Sequence, residues 1–261
     1  MTNKKYIIIS GANGYLSQFF SKNLCKKYNL ILWDIKFNKE FLSNIKNLAK
    51  ENSSNVISMN VDITNSLKIK KNIKILERKK INIYGLINCA GLNPQPNIKH
   101  PDYFKNHESF MKMWNDEINI SLKGYMAMIY EVSKILQKSK NSTIINFSSD
   151  LGIISPNQNI YSKEKIKPLV YSISKHGIIG MTKYFATLLS SKGVRVNSIC
   201  FGGVFNKKFD KKFVKKVSKL VPLERMCDID EILSPIDFLL DHKNSYMTGH
   251  SLIIDGGRTI W

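Results

Sequence analysis

Tyr6-Ile7-Ile8-Ile9-Ser10-Gly11-Ala12-Asn13-Gly14-Tyr15-Leu16-Ser17 is the stretch on which the fold turns. Its short, Ile-rich apolar run reads as a strand, and the glycines that follow mark a tight turn. Beyond the turn, Phe19, Phe20 and Leu24 carry a helical pattern. Strand, glycine turn and helix in this order suit an anionic ligand. Glycines let the backbone approach a pyrophosphate, whose charge is held by the free N–H groups and the dipole at the helix N-terminus. Gly11, Asn13, Gly14, Tyr15 and Leu16 are the candidate contacts, and Ser17 stands where the usual pattern has a third glycine.

Outward from this stretch the same grammar repeats. Residues 5–10, 29–34, 55–61, 83–89, 142–148, 194–200 and 251–254 are short and rich in Ile and Val, with apolar residues at helical spacing between most of them. Such alternation predicts an α/β chain, a doubly wound parallel sheet of the Rossmann type with helices on both faces. With 261 residues and 43% apolar content, one domain accounts for the whole chain. Ligands on such sheets bind at the carboxyl ends of the strands, beside the reversal of strand order.

Composition narrows the function classes. No run of roughly 18 apolar residues is present, and the apolar stretch at 6–9 is too short for a signal-peptide core, so a cytoplasmic protein without a membrane partner is expected. Cys25, Cys89, Cys200 and Cys227 form no C-x-x-C pair, which points to reduced thiols rather than disulfides or a metal site. The formal charge is +20, yet 36 of the 40 basic residues are lysine and four are arginine. Readers of bases and phosphates favour arginine for its bidentate fork, so no nucleic-acid partner is expected.

Asp34 closes the second strand, 23 residues after Gly11, where a carboxylate accepts hydrogen bonds from ribose hydroxyls. Its charge repels a 2′-phosphate, which favours NAD over NADP, with Lys36 nearby leaving NADP open. Asp62 and Ile63 follow the third strand and face the adenine end, although Asp62 equally suits the N-cap of the next helix. Asn88, Ala90 and Gly91, after the fourth strand, line the cofactor's central portion with small groups.

The fifth strand runs into Ser148-Ser149-Asp150, and a later helix opens with Tyr171-Ser172-Ile173-Ser174-Lys175. Residues four apart share a helix face, so Tyr171 and Lys175 project together. A phenol of pKa ~10 is a poor proton shuttle at neutral pH, and a neighbouring ammonium favours the phenolate. Lowering it by about three units takes roughly 4 kcal/mol, within reach of a close lysine and a positive nicotinamide ring in a dry site. Ser149 supplies a hydroxyl for the substrate oxygen.

This ordered set resembles the short-chain dehydrogenase/reductase family over essentially the whole chain. It runs from the glycine turn through Asn88-Cys89-Ala90-Gly91, Ser149 and Tyr171-x-x-x-Lys175 to Arg195-Val196-Asn197 and Thr248-Gly249 through Gly257. The resemblance implies an NAD(P)-dependent enzyme with Ser149, Tyr171 and Lys175 as catalytic residues. By alignment on Gly124, Ser121 takes the place of the family's relay asparagine, with Asn119 two residues away. It also implies cofactor contacts from Gly202 and Val204, although Phe201 replaces the usual proline before Gly202, and a homodimer or homotetramer.

A second Y-x-x-x-K, Tyr161 to Lys165, lies only 12 residues after Ser149, nearer the family's usual interval than the 22 that separate Ser149 from Tyr171. Pro168 breaks any helix carrying Tyr161 and Lys165, whereas a long amphipathic segment follows Lys175. Tyr171 is therefore the expected shuttle, with 153–168 an enlarged substrate loop.

Residues 205–220 read as a lid helix, with Phe209, Phe213 and Val217 on one face and Lys207, Lys208, Lys211, Lys212, Lys215, Lys216 and Lys219 on the rest. Those lysines either close on a substrate phosphate or form a solvated face. His100 and His107 follow the fourth strand and touch either substrate or water. The enlarged loop and the ending Asp255 to Trp261 resemble the family branch associated with flagellin and surface-glycan sugars, which implies a small anionic sugar substrate, a sugar phosphate or nucleotide-activated sugar. Two alternatives stand beside it: a 3-oxoacyl-thioester reductase, and a non-catalytic dinucleotide-binding sensor or nucleic-acid-binding protein.

Overall fold

The computed structural model describes residues 4–93, 107–139, 141–161 and 165–261. Seven parallel strands form one sheet in the order β3-β2-β1-β4-β5-β6-β7. They are β1 (Tyr6–Ser10), β2 (Asn29–Asp34), β3 (Val56–Asn60), β4 (Ile83–Asn88), β5 (Ser142–Phe147), β6 (Val194–Phe201) and β7 (Ser251–Ile254). All seven coincide with the Ile/Val runs in the sequence, shifted at their ends by at most one residue.

The alternation of side chains along a strand splits the core in two. Ile8, Ile31, Leu86, Ile144 and Val196 point to one face, where they meet Ile69 and Ile73 of α3 (Ser66–Arg78), Met128 and Val132 of α5 (Tyr125–Leu136), and Ile178 and Phe185 of α6 (Leu169–Ser190). Ile7, Ile9, Leu30, Leu32, Ile87, Ile145 and Ile199 point to the other. There they meet Phe20 and Leu24 of α1 (Tyr15–Leu24), Phe41 and Ile45 of α2 (Lys39–Glu51), and Ile236 and Leu239 of α8 (Leu233–Leu240). Each fully buried Ile or Leu contributes about 1.5–3 kcal/mol relative to exposure, and two-sided burial explains the unbroken apolar centres of β1 and β2.

One helix deviates from the common geometry. α4 (His107–Ile118) runs on into α5 through a π-helical segment, Asn119–Gly124. Gly124 sits at the tightest point, since a Cβ there would lie 2.8 Å from Ile63 Cδ1 and 3.2 Å from the Asn119 carbonyl oxygen. Wide turns of this kind concentrate at functional sites, and this one carries Ser121.

The lid is shorter than its sequence pattern. The helix α7 spans only Lys211–Ser218, because Asp210 caps it by accepting from the amides of Lys212 and Phe213. Its apolar face packs as read: Tyr161 stacks on Phe213 at 5.9 Å, and Val217 joins Ile160 and Met226 in a small third core. Lys207, Lys208, Lys211, Lys212, Lys215, Lys216 and Lys219 are all exposed.

Candidate active site

The strand order reverses between β1 and β4, and the glycine turn lies at that point. Gly11 adopts φ +69°, and a Cβ on it would fall 2.4 Å from Ala90 Cα, so only glycine lets the turn close against β4. Gly14 caps α1, and no acidic residue stands in that helix's first turn. The amides of Tyr15, Leu16 and Ser17 therefore open the helix without intrahelical partners, in a field that favours an anion. Ser17, the third-glycine position, is buried and still lets the helix pack on the sheet. Tyr15 reaches over the crevice, its hydroxyl donating to the Phe205 carbonyl at 3.4 Å.

Asp34 is held at the same edge. Its Oδ2 accepts from the Asn13 amide at 2.9 Å and its Oδ1 from the Ile35 amide at 2.8 Å, which ties the end of β2 to the glycine turn. Asp62 is not the helix cap that was its alternative reading: its Oδ1 accepts from the amide and hydroxyl of Thr64, while Asn65 caps α3. Ile63 lies beneath Gly124 and so beside the π segment.

Asn88 has a structural task. Its amide donates to Asn146 Oδ1 at 2.9 Å, Asn146 donates to Thr182 Oγ1 at 3.0 Å, and Ser10 donates to Asn88 Oδ1 at 3.3 Å. This buried chain fastens β1, β4, β5 and α6 together directly below the crevice. Gly91 borders Ser121, whose Oγ would lie 3.5 Å from a Cβ at residue 91. Gly202 continues β6 by donating its amide to the Ile254 carbonyl at 2.9 Å. With Phe201 in place of proline the strand runs to its eighth residue, and Val204 then pairs with Cys227.

α6 begins at Leu169 with Pro168 as its extended cap, so Tyr171 and Lys175 share its first turns. Tyr161 lies outside any helix, after the short turn Gln158–Ile160. Three contacts dock α6 against the end of β5. Ser148 Oγ donates to the Lys175 carbonyl at 2.8 Å, and Ser172 Oγ donates to the Leu151 carbonyl at 2.8 Å. Gly152 permits the approach, since a Cβ there would sit 2.8 Å from the Lys175 backbone. Ser149, Tyr171 and Lys175 are brought together by this docking. Residues 153–161 and 165–168 form the loop beside it; its residues 162–164, and His100, lie outside the described residues, while His107 opens α4 exposed to solvent.

Burial dominates the electrostatics of Tyr171 and Lys175. Burial pushes the Tyr171 phenol well above its ordinary range; the Ser149 hydroxyl acts against this, and the Asp150 and Glu117 carboxylates add to it. Burial likewise lowers the Lys175 ammonium, with Glu117 opposing. Lys175 Nζ donates to the Phe147 carbonyl at 3.1 Å and lies 5.4 Å from the Tyr171 ring centroid.

Three groups that no motif announced complete the site. Lys167 is only 7% exposed, donates to Asn93 Oδ1 at 2.6 Å and sits 3.9 Å from the Tyr171 ring centroid. Asp150 accepts from Ser149 Oγ at 2.7 Å and pairs with Arg258 at 2.6 Å, so Arg258 is linked to Ser149 through one carboxylate. Glu117, on α4, accepts from both Ser121 Oγ and Ser174 Oγ at 2.7 Å. Helical periodicity or spacing along the chain gave no sign of any of them.

Residues 25–259 match the family model described as enoyl-(acyl carrier protein) reductase. The chain is 27% identical over 260 residues to post-translational flagellin modification protein A of Campylobacter coli, covering 98% of this chain and 99% of that protein. It is 29% identical over 207 residues to a 3-oxoacyl-(acyl-carrier-protein) reductase of Thermotoga maritima, covering 77% of this chain and 76% of that protein. Among solved structures, a short chain dehydrogenase of Leptospira borgpetersenii with bound NAD+ superposes with a TM-score of 0.84 at 27% identity, covering 98% of this chain and 93% of that one. Sheet order, glycine turn, the Ser149–Tyr171–Lys175 cluster and the family match agree: the chain belongs to the short-chain dehydrogenase/reductase family of oxidoreductases.

Proposed function

We propose that this protein is an NAD(H)-dependent enzyme that interconverts a secondary alcohol and a ketone on a sugar phosphate or nucleotide-activated sugar, in the making of a bacterial surface or flagellin glycan. The convergence of Ser149, Tyr171 and Lys175 at the carboxyl end of β5, one strand from the sheet's switch point, carries the redox reading. The likeness to a flagellin modification protein along nearly the full length of both chains supports the flagellin setting, and the enlarged loop before Tyr171 with the ending Asp255 to Trp261 supports the sugar. A solved relative that holds NAD+ supports the cofactor.

The cradle fits that cofactor. Gly11, Asn13, Gly14, Tyr15 and Leu16 would hold the pyrophosphate, and Asp34 the adenosine ribose, its charge selecting against a 2′-phosphate. Asp62 and Ile63 would border the adenine; Ala90, Gly91, Gly202 and Val204 would line the nicotinamide half, with Asn88 bracing the floor. When bound, NAD+ would supply the acceptor for a hydride from the carbinol carbon. In that direction Tyr171 Oη takes the substrate's hydroxyl proton while Ser149 Oγ holds the same oxygen. Lys175 supplies the positive charge that makes phenolate accessible, and Ser121 borders the relay. General acid–base groups placed in this way contribute about 10²–10⁴ in rate. A two-fold symmetric homodimer or homotetramer in the cytoplasm is part of the same reading.

A second reading, reduction of a 3-oxoacyl thioester, is favoured by the Thermotoga relative. Absorbance of NADH, followed against a panel of sugar phosphates, nucleotide sugars and acyl thioesters, separates the two. Turnover of a sugar derivative is expected. Turnover of thioesters alone transfers the assignment to the second reading. Salt-sensitive DNA binding without any turnover overturns both in favour of a binding protein.

A further inference from the structure

We propose that Glu117 is the counter-charge that keeps Lys175 in its ammonium form, a positioning residue standing one helical turn before Ser121. The inference rests on the dehydrogenase reading above and adds a member to its site.

Glu117 is 0% exposed. A carboxylate wholly out of water is costly unless a charge and hydrogen bonds compensate it. Its Oε1 accepts two hydroxyls, from Ser121 and from Ser174, the residue next to Lys175, each at 2.7 Å. Its Oε2 is buried with no hydrogen-bond partner. Lys175 is the complementary case: a buried amine with three donors, one of them given to the Phe147 carbonyl. Among the described residues no carboxylate lies within ion-pair distance of Lys175 Nζ. Glu117 therefore bonds to the residue beside Lys175 while keeping one buried acceptor unused, and Lys175 keeps donors beyond the one given to the Phe147 carbonyl.

Other groups face the same amine. Cys89 at the end of β4 and Cys200 on β6 are thiols whose burial raises them above the ordinary value, which leaves them neutral at neutral pH. Tyr171 contributes a phenol ring 5.4 Å away, and Tyr125 on α5, whose own hydroxyl has no partner, is a neutral phenol near Glu117. Lys167 adds a like charge that works against the ammonium. Asp150 lies across the phenol and is paired with Arg258. Glu117 is thus the buried negative charge available to Lys175. Glu117 and Ser121 stand four residues apart, the spacing at which side chains share a helix face, and the π segment begins between them.

The test is the titration of Lys175 by NMR of lysine-labelled protein, its resonance assigned by loss in Lys175→Met. In wild type, Lys175 is expected to remain ammonium at neutral pH despite its burial. In Glu117→Gln, which keeps the shape and the serine acceptor but removes the charge, its titration is expected to move down by about one unit or more. Glu117→Asp, retaining the charge, is expected to restore most of the shift. A Lys175 that is already neutral at pH 7 in wild type overturns the proposal without any variant, and so does an unchanged titration in a folded Glu117→Gln. NAD+ binding, followed in the same samples, separates the two layers. Wild type that fails to bind NAD+ sinks the dehydrogenase reading, whereas normal binding with an unmoved Lys175 sinks the role of Glu117 alone.

Discussion

The ammonium group of Lys167 lies 3.9 Å from the ring centroid of Tyr171, so the proposed proton shuttle is capped on one side by a second, buried lysine. Burial pulls that amine from 10.5 down to about 8. The unfolded chain therefore binds more protons than the folded one between those two values, and stability must rise with pH across the window. Below the folded value the cost of the buried charge is fully present. Lys167→Met is expected to flatten this rise and to gain stability at pH 7, on the order of 3 kcal/mol at most. Denaturant unfolding at closely spaced pH values reads the slope; a variant with the wild-type slope contradicts the burial argument.

Arg258 and Asp150 form an ion pair with both side chains buried, between residues 108 positions apart. Removing one partner leaves the other charged and dry. Arg258→Met is expected to cost about 3–5 kcal/mol, and the double variant Arg258→Met/Asp150→Asn markedly less. Equilibrium unfolding of the single and double variants decides it. Additive losses would show that the two residues do not act as a pair.

Gly11→Ala places a methyl group on the Ala90 backbone and forces an L-residue to φ +69°. Loss of NADH binding is expected, seen as absent fluorescence enhancement on titration, together with a stability loss of about 1–3 kcal/mol. Wild-type NADH affinity in this variant would remove the glycine turn from the cofactor site.

The sheet was legible because its central strands are buried on both faces and stand out as Ile/Val runs between helical periods. Tyr171 could be told from Tyr161 for a similarly local reason: Pro168 fixes where α6 starts. What stayed hidden depends on contacts between distant segments. Glu117 looks like any charged residue on a helix until Ser121 and Ser174 close on it. Lys167 is one lysine among 36 until Asn93 and Tyr171 enclose it. The lid pattern over 205–220 was correct in its apolar face but too long, since Asp210 caps the helix only where the backbone turns. The burial that raises the Tyr171 phenol, against which Lys175 and a nicotinamide ring would have to work, is likewise not registered by sequence spacing.

Tyr171→Phe tests the central claim most directly, because it deletes one oxygen and leaves the packing of α6 intact. The measurement is the rate of NADH absorbance change on the substrate identified by the panel, with NADH affinity determined on the same preparation. Turnover is expected to fall by about 10²–10⁴ with affinity for the dinucleotide largely kept. A variant that turns over at the wild-type rate contradicts the assignment of Tyr171 as the proton-transferring residue.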